Sequence, residues 1–355
     1  FSLAHLESSW VDCIALLSAG YLELHILMEK SKDLIQTMTF CGRRGSVKNF
    51  AGACLLFVMM IYFINIMNNS GEVMKVVLRK DDSLTVLVNT FKRHDQLEDS
   101  VKFYSRCPLV KHITIVWSEP DPPPQSMAKR YAKSQSPVIS FEIHEVDSLN
   151  NRFKPLKSAH SDAIFSVDDD MKIPCEELAL AYQVWKGSSR SIVGWMPRMH
   201  IRGTDHQLIY RCWWRVWWHG YYSIILTKAA IIHHDYLDVY TNKMPQSIRD
   251  MVDKNRNCED IAMQFLISDE AKLPPIYVKG HLGDSGALGG ISTNQNVVTA
   301  SHMDARSQCL NDLARIYGHN PLINSNFIVD SAANGWTNEP STWWEYISSD
   351  LWNWF

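Results

Sequence analysis

The sequence predicts an α/β domain with a parallel sheet, standing behind one membrane-spanning helix. Two observations carry this. From Leu84 onward, short β-branched and aromatic runs alternate with helix-patterned stretches, the signature of a parallel sheet covered by helices. Ahead of them, residues 50–67 (FAGACLLFVMMIYFINIM) carry no charge. As a helix they would span about 27 Å, near the hydrocarbon thickness of a bilayer. The 355 residues leave room for one large α/β domain with such a segment attached.

Basic residues flank the apolar run unevenly. Lys30, Lys32, Arg43, Arg44 and Lys48 precede it, whereas Lys75, Arg79 and Lys80 follow it beside Glu72, Asp81 and Asp82. The positive-inside rule then places residues 1–49 in the cytosol, 50–67 as a signal anchor, 68–83 as a stem and 84–355 in the lumen. A cleavable signal peptide does not fit a span that far along the chain. Residues 11–28 are apolar too, but Asp12, Glu23 and His25 break them, which predicts at most an interfacial helix. The sequon at Asn68 lies at the membrane surface, which argues against its use.

Composition excludes several classes. With 46% hydrophobic and 21% charged residues the chain is globular rather than disordered or fibrous. A net charge of −3 argues against a nucleic-acid partner. The eight cysteines show no CxxC spacing, which argues against zinc.

Within the lumenal part, 84–91 and 112–117 read as strands with a helix over 95–105 between them. Three consecutive prolines, 122–124, stop either element. Strands over 136–144 and 162–170 follow, then a helix over 176–186. The fourth strand ends in Asp168, Asp169 and Asp170, at the carboxyl edge of the sheet where ligands gather. Oxygen-only donors facing outward there suit Mn²⁺, with Mg²⁺ as the alternative, and a metal so placed can bridge a diphosphate leaving group. A solvated acidic turn capping the next helix is the competing reading.

Further on, 257–268 reads as a helix with Ile261, Phe265 and Ile267 facing a core and Glu259 and Asp260 in its first turn. Carboxylates there serve either as helix caps or as charges beside a reacting centre. Residues 211–223 (RCWWRVWWHGYYS) gather Trp213, Trp214, Trp217 and Trp218. Indoles stack on sugar rings and favour membrane interfaces. Read as a strand pair, the run sends adjacent tryptophans to opposite faces, dividing them into core and acceptor-facing sets. His219, His233 and His234 carry no assignment.

The segments LVNTFKR, IVWSEP, NNRF, FSVDDD, VGWMPR, NRNCEDIAM and RSQC, spread over about 84–330, resemble the exostosin-like glycosyltransferases, family sixty-four. Among these the chain is most similar to short plant members that mannosylate glycosyl inositol phosphorylceramides, which share the tryptophan run. The resemblance implies a GT-A, Rossmann-like fold, Mn²⁺, a nucleotide-sugar donor and retention of anomeric configuration. It implies donor contacts from Arg93, Asn151, Asp168 and Asp169, and Asp170 as metal ligand. It makes Asp260, Glu259 and Arg306 the catalytic group, joins Cys258 to Cys309, and gives Trp213, Trp214, Trp217 and Trp218 to a glycolipid acceptor.

Ser118 with Glu119, and Pro155 with Leu156, depart from the animal members at positions expected in the donor pocket, which leaves room for GDP-mannose. The alternatives are a UDP-N-acetylhexosaminyltransferase and an inactive lectin-like scaffold. With the anchor, the resemblance implies a single-pass type II protein of the Golgi membrane; a homodimer stays open.

Overall fold

The computed structural model describes residues 76–158, 160–284 and 300–330. The expected cytosolic segment, anchor, sequon and first part of the stem lie outside the described residues. Among the described residues no helix is long and apolar enough to cross a membrane. All of them belong to the unit Ser70–Phe355.

The first half contains β1 (Leu84–Thr90), α1 (His94–Tyr104), β2 (Val110–Trp117), α2 (Gln125–Tyr131), β3 (Val138–Ile143) and β4 (Ala163–Asp168). The short β5 (Met171–Lys172) and the helix α3 (Cys175–Gly187) follow. Next come β6 (Val193–Gly194), β7 (Pro197–Arg202), β8 (Leu208–Arg211), α4 (Trp213–His219), β9 (Ile224–Ile225) and β10 (Ala229–His233). Then follow α5 (Asp235–Asp238), α6 (Gln246–Asn255) and α7 (Glu259–Ala271). The described chain ends with β11 (Ile276–Lys279), β12 (Gly283–Asp284), α8 (Ala300–Tyr317) and β13 (Ile328–Asp330).

Eight strands form the main sheet in the order β13, β11, β6, β10, β4, β1, β2, β3. β1 runs parallel to both β2 and β4, and β2 parallel to β3. The chain therefore leaves β1 on one side, passes through β2 and β3, and returns on the other side as β4. That reversal is a topological switch point, and the crevice beyond the carboxyl ends of β1 and β4 is where such sheets bind ligands. Beyond β4 the sheet departs from the all-parallel expectation, because β10 pairs antiparallel with β4 and β6. A strand buried on both faces reads the same in either direction, so its composition carries no orientation.

Side-chain alternation fills two cores, one on each face of the sheet. Leu87 and Ile164 enter one, and Val86, Val88 and Phe165 the other. Two cystines brace this frame. Cys258–Cys309 has the expected partners, and Cys107–Cys175 ties the loop before β2 to the start of α3.

The tryptophan run corrects the strand-pair expectation. Residues 213–219 form the helix α4, which ends where Gly220 adopts φ +69° and its N–H donates to the Val216 carbonyl at 2.8 Å. A left-handed glycine is a helix stop, and aromatic content alone favours strands only where neighbours exist to pack against. Val216 is the buried residue of α4, while Trp214, Trp217 and Trp218 are exposed and Trp213 is half-buried. The division into alternating core and outward tryptophans therefore does not hold. The helix α2 follows its prolines through Met127 and Tyr131, four residues apart on one buried face.

Gly194 lies where β6 meets β10, and a Cβ there would sit 2.5 Å from the Ala229 carbonyl oxygen and 2.9 Å from Ala230 Cα. Both are backbone atoms of a central strand. Gly194→Ala is expected to cost about 1–3 kcal/mol through overpacking, read as a lowered thermal midpoint. An unchanged midpoint would show that the two strands can part without loss.

Candidate active site

The turn between β1 and α1 aims the first functional side chain. Lys92 holds φ +55°, and its N–H donates to Glu119 Oε1 at 2.7 Å. Glu119 is buried just past the end of β2 and also accepts from His94 Nε2 at 3.0 Å. With both neighbours fixed, Arg93 reaches across to the residues after β4. Its Nη1 donates to Asp170 Oδ2 at 2.8 Å, and its Nη2 pairs with Asp169. Asp169 also accepts from Thr90 Oγ1 at 2.7 Å.

The carboxylates expected to face outward are thus mostly covered. Asp169 and Asp170 are 1% and 8% exposed, and Asp168 is half-buried. The guanidinium of Arg93 forms the cover. Burial pushes the Asp169 carboxyl up to about 6, against the pull of Arg93 and Thr90. Burial, then the charge of Asp168, raises Asp170 as well.

A second guanidinium, absent from the expected site, links the two acidic groups. Arg152 is 3% exposed and donates from Nη2 to Asp168 Oδ1 at 2.7 Å, while its Nη1 lies 3.6 Å from Glu259 Oε1. Its only signal in the sequence is its place in the NNRF segment. A buried arginine needs such partners, because an uncompensated charge away from water is expensive.

Glu259 and Asp260 open α7 directly after Cys258, which holds φ +79° as a non-glycine residue. That conformation persists only where its surroundings over-determine it. Here the bond to Cys309 on α8 does so. The same helix supplies Arg306, whose Nη1 lies 3.2 Å from Asp260 Oδ2 and donates to Tyr210 Oη at 2.9 Å. Burial and the neighbouring Asp260 push Glu259 up to about 7, although Arg152 and Arg306 pull it down.

Asn151 lies beneath the same edge. Its Nδ2 donates to Ser118 Oγ at 3.0 Å and to the Val146 carbonyl at 2.7 Å, and its buried Oδ1 has no hydrogen-bond partner. Ser118 and Glu119 thus stand where the donor pocket was expected. Pro155 and Leu156 do not. They line a cavity of about 800 Å³ with His160, Arg190 and His234, by the His233 end of β10. Since His233 pairs with Ala163 at the start of β4, this cavity opens at the far end of the sheet from Asp168. His233, His234 and Asp235 cluster there as well.

The donor set at the end of β4 is oxygen only, with Asp168 and Asp170 crowding each other's charge, and so fits a hard divalent ion. Five carboxylates meet three guanidiniums and the Lys228 ammonium at this edge, an excess of one negative group that such an ion would offset.

Arg152→Ala should cost about 3–5 kcal/mol in denaturant unfolding, since buried Glu259 and half-buried Asp168 would be left without their cation. A loss below about 1 kcal/mol would mean that water replaces the guanidinium. Glu259 binds its proton more tightly folded than unfolded, so stability falls as pH rises from about 4.3, the unfolded carboxyl value, toward about 7. Glu259→Gln should flatten that fall, measured as unfolding free energy against pH. An unchanged slope would assign it to other groups.

The family model described as the glycosyl transferase family 64 domain matches residues 84–334. "Glycosylinositol phosphorylceramide mannosyl transferase 1" of Arabidopsis thaliana is 38% identical over 82% of this chain and 90% of its own length. "Exostosin-like-3 homolog" of Caenorhabditis elegans is 32% identical over 71% of this chain and 30% of its own length. "Exostosin-2" of Homo sapiens is 31% identical over 68% and 33%. The chain therefore spans about a third of these exostosin relatives. Among solved structures, GalNAc-T7 with UDP, GalNAc and Mn²⁺ aligns at 7% identity and a TM-score of 0.37, over 53% of this chain and 41% of that one, too distant to carry an argument. With a switch-point site that joins two acidic groups through buried arginines, and a family match over most of its length, the chain belongs to glycosyl transferase family 64 and is a glycosyltransferase.

Proposed function

We propose that this glycosyltransferase moves mannose from GDP-mannose, with retention, onto a glycosyl inositol phosphorylceramide, working at the lumenal face of a Golgi-type membrane. The observation that carries the substrate is the Arabidopsis relative, matched over nine-tenths of its length. The chemistry rests on the Asp260–Arg306 pair.

When a sugar leaves its nucleotide, positive charge gathers on the anomeric carbon and negative charge on the departing diphosphate. Asp260 and Arg306 face each other at 3.2 Å, so one site offers an anion for the first and a forked cation for the second. Asp260 stands beside the reacting carbon, and Glu259, held by Arg152, keeps the floor of the site in place. Arg93, Asp168 and Asp169 bind the donor, and the open Oδ1 of Asn151 accepts from its nucleoside. Asp170 would hold Mn²⁺, which on binding neutralises the diphosphate. Of the four tryptophans, Trp213 and Trp214 lie nearest to Tyr210 in the chain and serve the acceptor sugar.

Asp170→Asn tests the metal role without emptying the site, because Arg93 keeps Asp169. Transfer should fall on the order of 100-fold while the melting temperature stays within a few degrees. Full turnover with Mn²⁺ present would remove Asp170 from the mechanism. A hydrolysis panel of GDP-mannose, UDP-N-acetylglucosamine and UDP-N-acetylgalactosamine tests the donor. Preference for either UDP sugar would replace mannose with an N-acetylhexosamine.

A further inference from the structure

Helix α4 exposes Trp214, Trp217 and Trp218 by 43%, 67% and 71%. Among the described residues no other run of five exposes three large apolar side chains. Clustered apolar exposure of this kind marks an interaction surface. The helix is not a loose appendage. It packs on β7, buries Val216, and follows β8, whose backbone is fastened to α8. Leu208 N donates to Asn311 Oδ1 at 2.8 Å, and Tyr210 N donates to Ser307 Oγ at 3.0 Å.

The charge around the indoles is one-sided. Between Pro197 and Ser223 the chain has four arginines against one aspartate, although its net charge is −3. Arg202 is exposed, Arg211 is half-buried, and the Arg215 guanidinium lies 4.3 Å from the Trp214 ring centroid. Indole belongs at the boundary between headgroups and acyl chains, and arginine pairs with phosphate there. A protein partner also takes Trp and Arg, but needs about 800 Å² per side. At roughly 250 Å² for a whole tryptophan, the three indoles offer about 450 Å².

We infer that Trp217 and Trp218, with Arg211 and Arg215 beside them in the chain, dock the catalytic domain on the phospholipid surface and set the height of the active site above it. Tyr210, which accepts from Arg306, is three residues before Trp213, a reach of about 11 Å. From Trp213 to Trp218 the helix rises about 7 Å more. The Asp260–Arg306 pair thus stands within two or three sugar lengths of the indoles, the height of a short glycan on a lipid. This inference rests on the reading that the acceptor is a glycolipid.

The test uses the full chain in phosphatidylcholine–phosphatidylserine vesicles, with or without bromines near the top of the acyl chains. Bromine should quench more of the wild-type tryptophan emission than that of a Trp217→Ser/Trp218→Ser double variant. Both side chains are exposed, and an unchanged melting curve confirms the fold. Transfer to ceramide-linked acceptor in the vesicle should fall about tenfold in the variant, and transfer to the same headgroup freed from ceramide should be unchanged. Equal quenching in the two proteins overturns the inference, as does an equal loss on the free headgroup, which would mean sugar stacking. Self-association abolished by the double variant, without lipid quenching, overturns it in favour of a second copy. If no acceptor is mannosylated, the proposed function fails, and the quenching comparison still decides docking.

Discussion

The site depends on one buried cation. Arg152 lies between Asp168, at the end of β4, and Glu259, in the first turn of α7, and it is almost fully removed from water. Its desolvation is offset only when both carboxylates are present, together with Ser166 Oγ and the Thr227 carbonyl, each at 3.3 Å. The β1–β4 half and the α7–α8 half must therefore both be folded before Arg152 has both of its partners. Without that link the Asp168–Asp170 turn and the Glu259–Asp260 turn would be two separate acidic helix starts.

Around this link the structure limits where each charge can go. Cys258 starts α7 in a left-handed conformation and is bonded to Cys309, three residues beyond Arg306 on the neighbouring helix. Asp260 and Arg306 consequently meet at a distance set by the packing of α7 on α8 rather than by flexible side chains. The same helix carries Ser307 and Asn311, which fasten β8 and, through it, the tryptophan helix. One helix thus couples the Asp260–Arg306 pair to the helix that carries the exposed tryptophans. Rigid support of this kind is how an active site keeps tolerance below an ångström.

The electrostatic balance follows from the same arrangement. Burial strips water from Asp169, Asp170 and Glu259 and is the main reason that each holds its proton more tightly than a free carboxyl does, with the neighbouring carboxylates adding to it. The carboxylate oxygens at this edge form a donor set of the kind that holds a hard divalent cation. They also keep Arg93 and Arg306 oriented before any phosphate arrives.

What the sequence determined by itself was local: the β1–α1–β2 and β3–β4 alternation, the helix over 176–186, which the structure extends by one residue at each end, the acidic strand end, and a second acidic helix start beside a cysteine. Each is written in periods of two or four residues and in stop residues, which act without reference to distant chain. The family motifs added the Cys258–Cys309 partners, which the structure contains. Tertiary structure decided the rest. The direction of β10 is invisible in a strand buried on both faces, and the Cys107–Cys175 partners cannot be chosen from spacing. The tryptophan run became a helix because Gly220 ends it in the left-handed region and only Val216 finds a core. Arg152 gained its role from Glu259, a residue far along the chain. Such a pairing depends on which segments pack side by side, because a buried charge is worth only what its neighbours in space supply.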